Sequence, residues 1–219
     1  AEWERRIGKQ WTTLLGARYE RVETDAGSIH GYNNINSSVM NGTTMWSNQL
    51  AESTAFNARN RNRVDNNVDL TALARYTPNN MTDVEFGLAR KVRSPNLYER
   101  YTWSTWGMAA LMNNFVGDGN GYVGNPDLKP ESSRNAEVGA EFSGALGKLK
   151  LAAFENRVDD LINGYDCSGG FPCTSSNVNK ATIKGVSLTG STVLAGTTLR
   201  GNVNWQDPRD DITDKRLTY

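Results

Sequence analysis

Polar and apolar residues alternate along much of this chain with a period of two, the spacing that puts successive side chains on opposite faces of a strand. In 135–142, Ala136, Val138, Ala140 and Phe142 share one face, and Asn135, Glu137, Gly139 and Glu141 share the other. In 11–21, Trp11, Thr13, Leu15, Ala17 and Tyr19 oppose Thr12, Leu14, Gly16, Arg18 and Glu20. In 67–76, Val68, Leu70, Ala72, Ala74 and Tyr76 oppose Asn67, Asp69, Thr71, Leu73 and Arg75; Val84, Phe86 and Leu88 then oppose Asp83, Glu85 and Gly87. In 197–206, Leu199, Val203 and Trp205 face away from Thr198, Arg200, Asn202, Asn204 and Gln206. Strands at about 148–160 and 177–193 keep the pattern less well. Their phase slips near Ala153-Phe154 and Lys184-Gly185, where a bulge is expected. With a short opening strand near residues 2–7, the pattern predicts about eight strands.

Connection lengths sharpen the fold class. Short turns fall at 7–10, 77–80, 143–147 and 194–196, and long polar segments at 24–65, 93–132 and 163–176, with another beginning near Asp207. Short and long connections alternate, as in outer-membrane barrels with tight periplasmic turns and long extracellular loops. Trp11, Tyr76 and Phe142 fall beside short turns, and Tyr19 and Trp205 toward the long-loop ends, where two aromatic girdles would sit. The chain is therefore expected to be all-β, an antiparallel transmembrane β-barrel segment of about eight strands with lipid outside and water inside. Arg18, Glu20, Glu137, Glu141, Arg200 and Asn202 would line the wet lumen. A secreted antiparallel sandwich, binding sugars through Trp103 and Trp106, also alternates its faces but has no reason to sort its loops by length.

Composition excludes several other classes. Only 37% of the residues are hydrophobic and the mean hydropathy is −0.59, low for a chain that must bury a sizeable interior. The 24 basic and 24 acidic residues cancel, leaving no electrostatic footprint for nucleic acid. No apolar run approaches the roughly 20 residues of a membrane helix, a limit that does not apply to strands of roughly 10 residues. With one histidine and no nucleophile placed beside it, the chain is not expected to be an enzyme. Cys167 and Cys173 share one short Gly/Pro-rich loop; a local disulfide in an oxidising compartment is the preferred reading, against two free thiols in a cytosolic loop. Residues 1–6 lack the charged-then-apolar order of a signal peptide, and the pattern breaks off at 217–219. A fragment of a longer protein is expected.

Four ordered segments carry a family resemblance. Phe86-Gly87-Leu88-Ala89-Arg90-Lys91-Val92-Arg93-Ser94-Pro95-Asn96-Leu97-Tyr98-Glu99-Arg100-Tyr101 resembles the strand-then-loop signature of TonB-dependent outer-membrane receptors. Gly124-Asn125-Pro126-Asp127-Leu128-Lys129-Pro130-Glu131 is similar to the next signature of the same family, in the correct order. Segments beginning at Asn156 and Asn179 resemble the two strands that follow. In this frame Arg93, Pro95, Asn96, Tyr98, Glu99, Asn125, Pro126, Leu128, Pro130 and Glu131 read as architectural. Pro95 fixes its own φ and biases Ser94 toward an extended conformation, and Pro126 and Pro130 do likewise before the next strand. Glu131 and Glu137 are candidates to bond loop amides or a basic neighbour such as Arg93.

The resemblance implies a plugged barrel of about 22 strands that imports metal chelates or large vitamins, driven by the inner-membrane TonB motor. It implies outer-membrane lipid, TonB and a metal or small-molecule ligand as partners, and no resident cofactor. Residues 1–219 would be a partial barrel domain without the plug. The segment 101–122, with the residues before it, resembles the copper-receptor branch, whereas 155–214 is closer to cobalamin and siderophore receptors. Trp103, Trp106, Met108 and Met112 are candidate ligand-binding residues in that loop. Thioethers are soft donors suited to Cu(I), which makes Met40, Met45, Met108, Met112 and His30 candidate metal ligands. Packing of Met108 and Met112 against Trp103, Trp106 and Phe115 is the blander role. A passive porin or adhesin barrel is the competing function.

Overall fold

The computed structural model of the chain describes residues 1–31, 49–104, 122–166 and 173–217, with 38–40 and 43–46 as backbone. Its elements in chain order are β1 (Glu2–Ile7), β2 (Trp11–Thr24), β3 (Ser38–Met40), β4 (Thr43–Trp46), α1 (Gln49–Asn57), β5 (Arg63–Asn79) and β6 (Thr82–Arg93). Then come α2 (Leu97–Tyr101), β7 (Trp103–Ser104), β8 (Tyr122–Val123), β9 (Glu131–Gly144), β10 (Gly147–Asp166), β11 (Thr174–Leu194) and β12 (Thr197–Asp210). Eight of the strands form one open antiparallel sheet in the order β1-β2-β5-β6-β9-β10-β11-β12. The pairs β3–β4 and β7–β8 are small separate ribbons in the long connections.

Each sheet neighbour is a neighbour along the chain once the loop elements are set aside. The short connections are hairpins; Ala195 and Gly196 (φ 48° and 78°) give β11–β12 two successive left-handed residues, the geometry that matches strand twist in a two-residue turn. Opposed residues share a face, so the register sorts every side chain. Trp11 lies opposite Tyr76, Leu15 opposite Ala72, Ala72 opposite Leu88, and Leu88 opposite Ala136. On the other face Arg18 lies opposite Asp69, Arg75 opposite Glu85, and Glu141 opposite Lys150.

The apolar face is exposed. Trp3, Leu15, Leu70, Leu88, Phe142, Leu151, Val203 and Trp205 are each about half exposed or more, while Asp65, Asn67 and Asp69 on the polar face are buried. A single sheet with this polarity is no sandwich, because a sandwich packs its apolar faces together. It is the arrangement of a barrel wall whose apolar side meets lipid. Trp11 and Tyr76 stack beside the short turns with ring centroids 4.7 Å apart. At the loop end, the Tyr19 hydroxyl donates to Asn66 Oδ1 at 2.7 Å.

The expected bulges near Ala153-Phe154 and Lys184-Gly185 are absent. Pairing of β10 with β11 runs without a break from Lys148–Ser191 to Asp159–Lys180. The phase slip has another cause: Phe154 places an aromatic ring on the polar face, directly opposite Gly185. A Cβ on Gly185 would come within 2.6 Å of both the Phe154 ring and the Trp205 carbonyl oxygen. Glycine here makes room for a cross-strand ring, a recognised use of strand glycine. The register shift lies higher, between Asn163 and Asp166. The strands also run beyond their expected ends, β5 back to Arg63 and β12 on to Asp210.

Gly185→Val should therefore overpack the wall and cost about 1–3 kcal/mol. Thermal unfolding of the barrel in detergent checks this, and an unchanged midpoint would refute the contact.

Candidate functional site

Where the polar face meets the long loops, charged and amide side chains replace an apolar core. The chain leaves β6 at Arg93, turns through buried Pro95, and enters α2. Asn96 caps this helix: its side chain accepts from Glu99 N at 2.8 Å, and Glu99 returns a bond from Asn96 N at 2.7 Å. That reciprocal pair is a capping box, which satisfies two orphan amides at once. Arg93 reaches Glu99 at 3.0 Å and Glu131, at the start of β9, at 2.8 Å. Glu131 also accepts from the Ile162 amide of β10 at 3.1 Å. One guanidinium and two carboxylates thus join β6, α2, β9 and β10.

A second junction is more deeply buried. Arg100 is only 1% exposed; it pairs with Asp65 of β5 at 2.9 Å and donates to Thr24 Oγ1 of β2 and to the Leu128 carbonyl. The Tyr101 hydroxyl donates to the Arg61 carbonyl at 2.8 Å. Gly124 lies so close to the end of α2 that a Cβ would sit 2.4 Å from the Arg100 carbonyl. Its amide donates to the Thr102 carbonyl at 2.8 Å, and the Asn125 amide donates to the Glu99 carbonyl at 2.8 Å. Asp127 receives Arg59 at 2.6 Å and is also bonded by Arg63. Asn177 of β11 closes the ring by donating to the carbonyls of Lys129 and Asp160.

The signature residues are thus brought together. Arg93, Asn96, Glu99, Asn125 and Glu131 bond one another or the backbone around α2, and Pro95, Pro126 and Leu128 are buried beside them. Tyr98 is exposed and Pro130 partly so. Glu137 is elsewhere, in mid-wall opposite Gly87 and Phe154. Of the other polar-face residues, Arg18 pairs with Asp69 at 3.0 Å and Glu20 lies 3.7 Å from Arg18. Glu141 accepts from Lys148 at 3.4 Å, and Arg200 and Asn202 are exposed on β12. Arg75, Glu85 and Lys150 add an ion-pair chain across β5, β6 and β10 that passes over β9 at Gly139. Sequence reading missed Arg100 and Asp65, because nothing local shows that residues 35 apart share one buried bond.

The candidate ligand residues are divided. Trp103 is described: β7 pairs with β8, and the Trp103 ring lies 6.1 Å from Phe56 of α1. Trp106, Met108 and Met112 lie outside the described residues, as do the side chains of Met40 and Met45. His30 is exposed, and no cluster of three or more His, Cys, Asp or Glu suited to a metal occurs among the described residues. Cys173 is disulfide-bonded; Cys167, the other cysteine of the chain, lies outside the described residues. The Cys173 backbone accepts from Val123 at 2.9 Å, tying the two long loops together.

A polar-faced wall with a lipid-facing apolar side and a cross-linked loop base defines a segment of a transmembrane β-barrel. The family model of TonB dependent receptor-like β-barrels matches residues 1–219, and the chain belongs to that family. It is 32% identical over 94 residues to the vitamin B12 transporter BtuB of Vibrio vulnificus (strain YJ016), covering 43% of this chain and 15% of that protein. It is 24% identical over 170 residues to the heme/hemopexin utilization protein C of Haemophilus influenzae (strain 86-028NP), covering 70% of this chain and 24% of that protein. Among solved structures, the copper transporter OprC superposes with a TM-score of 0.69 at 16% identity, covering 99% of this chain and 28% of that one. The FrpB iron transporter from Neisseria meningitidis (F3-3 variant) gives 0.59 at 18% identity, covering 99% of this chain and 26% of that one. The structural likeness shows the fold; the chain spans less than a third of these proteins. Members of the family reside in the bacterial outer membrane, which places this wall there.

Two outcomes follow for the loop base. Asp65→Ala would strand the buried Arg100 charge and cost about 3–5 kcal/mol, read as a lower unfolding temperature and earlier protease cleavage of the loops. Arg59 bonded to Asp127 holds that carboxyl below its ordinary 3.8, against a smaller opposing effect of burial. A depressed carboxyl stabilises the fold fully above its ordinary value and loses that contribution as pH falls through the depressed one. Loop cleavage by an acid-active protease should therefore rise below about pH 4, and Asp127→Asn should remove that part of the pH dependence.

Proposed function

We propose that this wall belongs to a receptor that imports a scarce metal, free or held in a chelate or corrinoid, with energy delivered by TonB. The supporting observation is the family match along the whole chain, joined to a loop base built from the family's own signature residues. The names of its relatives share one chemistry: vitamin B12, heme, copper and iron are all metals or metal complexes. The polar face would line the route inward, and the loop held between β7 and β8 would form part of the outer ligand mouth.

Copper is the ligand we favour. Four of the five methionines lie in the long connections, and thioethers suit Cu(I) better than they suit hard cations. The fold likeness to a copper transporter agrees with this choice without carrying it, since 16% identity transmits no site.

In the intact receptor, Met108→Ala combined with Met112→Ala should reduce copper uptake at limiting supply by about tenfold, as expected if about 1.4 kcal/mol of binding is lost. Unchanged uptake would assign these methionines to packing. Uptake should also stop in cells lacking TonB, and persistence there would favour a passive pore.

A further inference from the structure

The register sets three arginines side by side on the lipid-facing side of the sheet. Leu70 of β5 lies opposite Arg90 of β6, Arg90 opposite Arg134 of β9, and Arg134 opposite Arg157 of β10. Directly opposed like charges destabilise a sheet, so such a row calls for a compensating anion. Among the described residues only part of it is supplied. Arg134 donates one bond to Asp159 at 2.5 Å, and Arg157 donates one to Glu155 at 2.6 Å, a carboxylate it shares with Lys184. Arg90 donates to the Val68 carbonyl, which carries no charge. A guanidinium has five donors, so most of those on this row are left for an external acceptor. The side chains of Arg134 and Arg157 are 62% and 65% exposed.

The row borders an apolar trough. A concavity of about 870 Å³ on the same face is lined by Trp3, Leu15, Leu70, Leu88 and Ala136, with Arg90, Arg134 and Arg157 along one side. Arg90 lies near the loop end of β6 and Arg134 near the loop end of β9, so the row belongs to the outer-leaflet side of the wall. Cationic forks beside an apolar floor match a molecule with phosphate at one end and hydrocarbon at the other. A soluble anion would use the arginines and leave the trough empty. A neutral lipid would fill the trough and leave the arginines opposed.

We infer that Arg90, Arg134 and Arg157 bind the phosphate of an acylated, phosphorylated lipid of the outer leaflet, whose chains lie along Leu88, Leu70, Leu15 and Trp3. The inference rests on the apolar face being the lipid face and is independent of which ligand is imported. Glu155 and Asp159 hold the guanidiniums apart and set their spacing, and each leaves further donors free.

The test uses the intact receptor purified in detergent and native mass spectrometry with a bis-phosphorylated acylated diglucosamine lipid. Arg134→Gln combined with Arg157→Gln should lower the retained lipid by about tenfold or more, the loss expected for charged hydrogen bonds. Arg200→Gln, on the opposite face, should leave it unchanged. Equal retention by the double variant and the unaltered receptor would overturn the inference. The unaltered receptor supplies a test that needs no variant: it should prefer the phosphorylated lipid to its dephosphorylated counterpart, and equal binding would overturn the site. Displacement of the lipid by equimolar inorganic phosphate would show a plain anion site and overturn the role of the trough.

Discussion

A barrel wall has to satisfy every backbone amide and carbonyl within the sheet, because the hydrocarbon around it offers no hydrogen-bond partner. That requirement explains the long unbroken ladders here, such as the twelve successive pairs from Lys148–Ser191 to Asp159–Lys180. The same hydrocarbon explains why large apolar side chains stand exposed on one face. Trp3, Leu88 and Val203 cannot be stabilised by burial within this chain; lipid has to accept them. The polar face inherits the opposite problem, since carboxylates and guanidiniums must find one another in partial burial.

At the loop end that problem is solved by pairing. Arg93 between Glu99 and Glu131, and Arg100 against Asp65, hold together strands that are distant in sequence. A buried ion pair adds little net stability over an apolar pair of the same shape, yet breaking it is costly. Its effect is to fix one arrangement. With the capping box at Asn96 and the missing side chain at Gly124, α2 sits where Arg100 reaches β2 and β5 at once.

Much of the wall was legible in the sequence because its period is two and its hairpins are local. Asn135, Glu137 and Glu141 announce one face of β9 without any knowledge of its neighbours. The slip at Ala153-Phe154 misled because the pattern carries no cross-strand information: Phe154 on the polar face is explained only by Gly185 opposite it. The helix α1 escaped notice within an Asn-rich connection, although it buries Phe56 under the loop base and presents it to Trp103. The arginine row was illegible for the same reason as the Arg100–Asp65 bond. Each residue looks ordinary on its own strand, and only the register makes them neighbours.

The ribbon formed by β7 and β8 pins both ends of the segment between them, and Val123 bonded to Cys173 fastens it to the next loop. The described frame on either side of that segment is built from Arg93, Glu99, Gly124 and Glu131. A lineage that kept these bonds and exchanged the residues between the ribbon's two strands would inherit the same junction of β6, α2, β9 and β10.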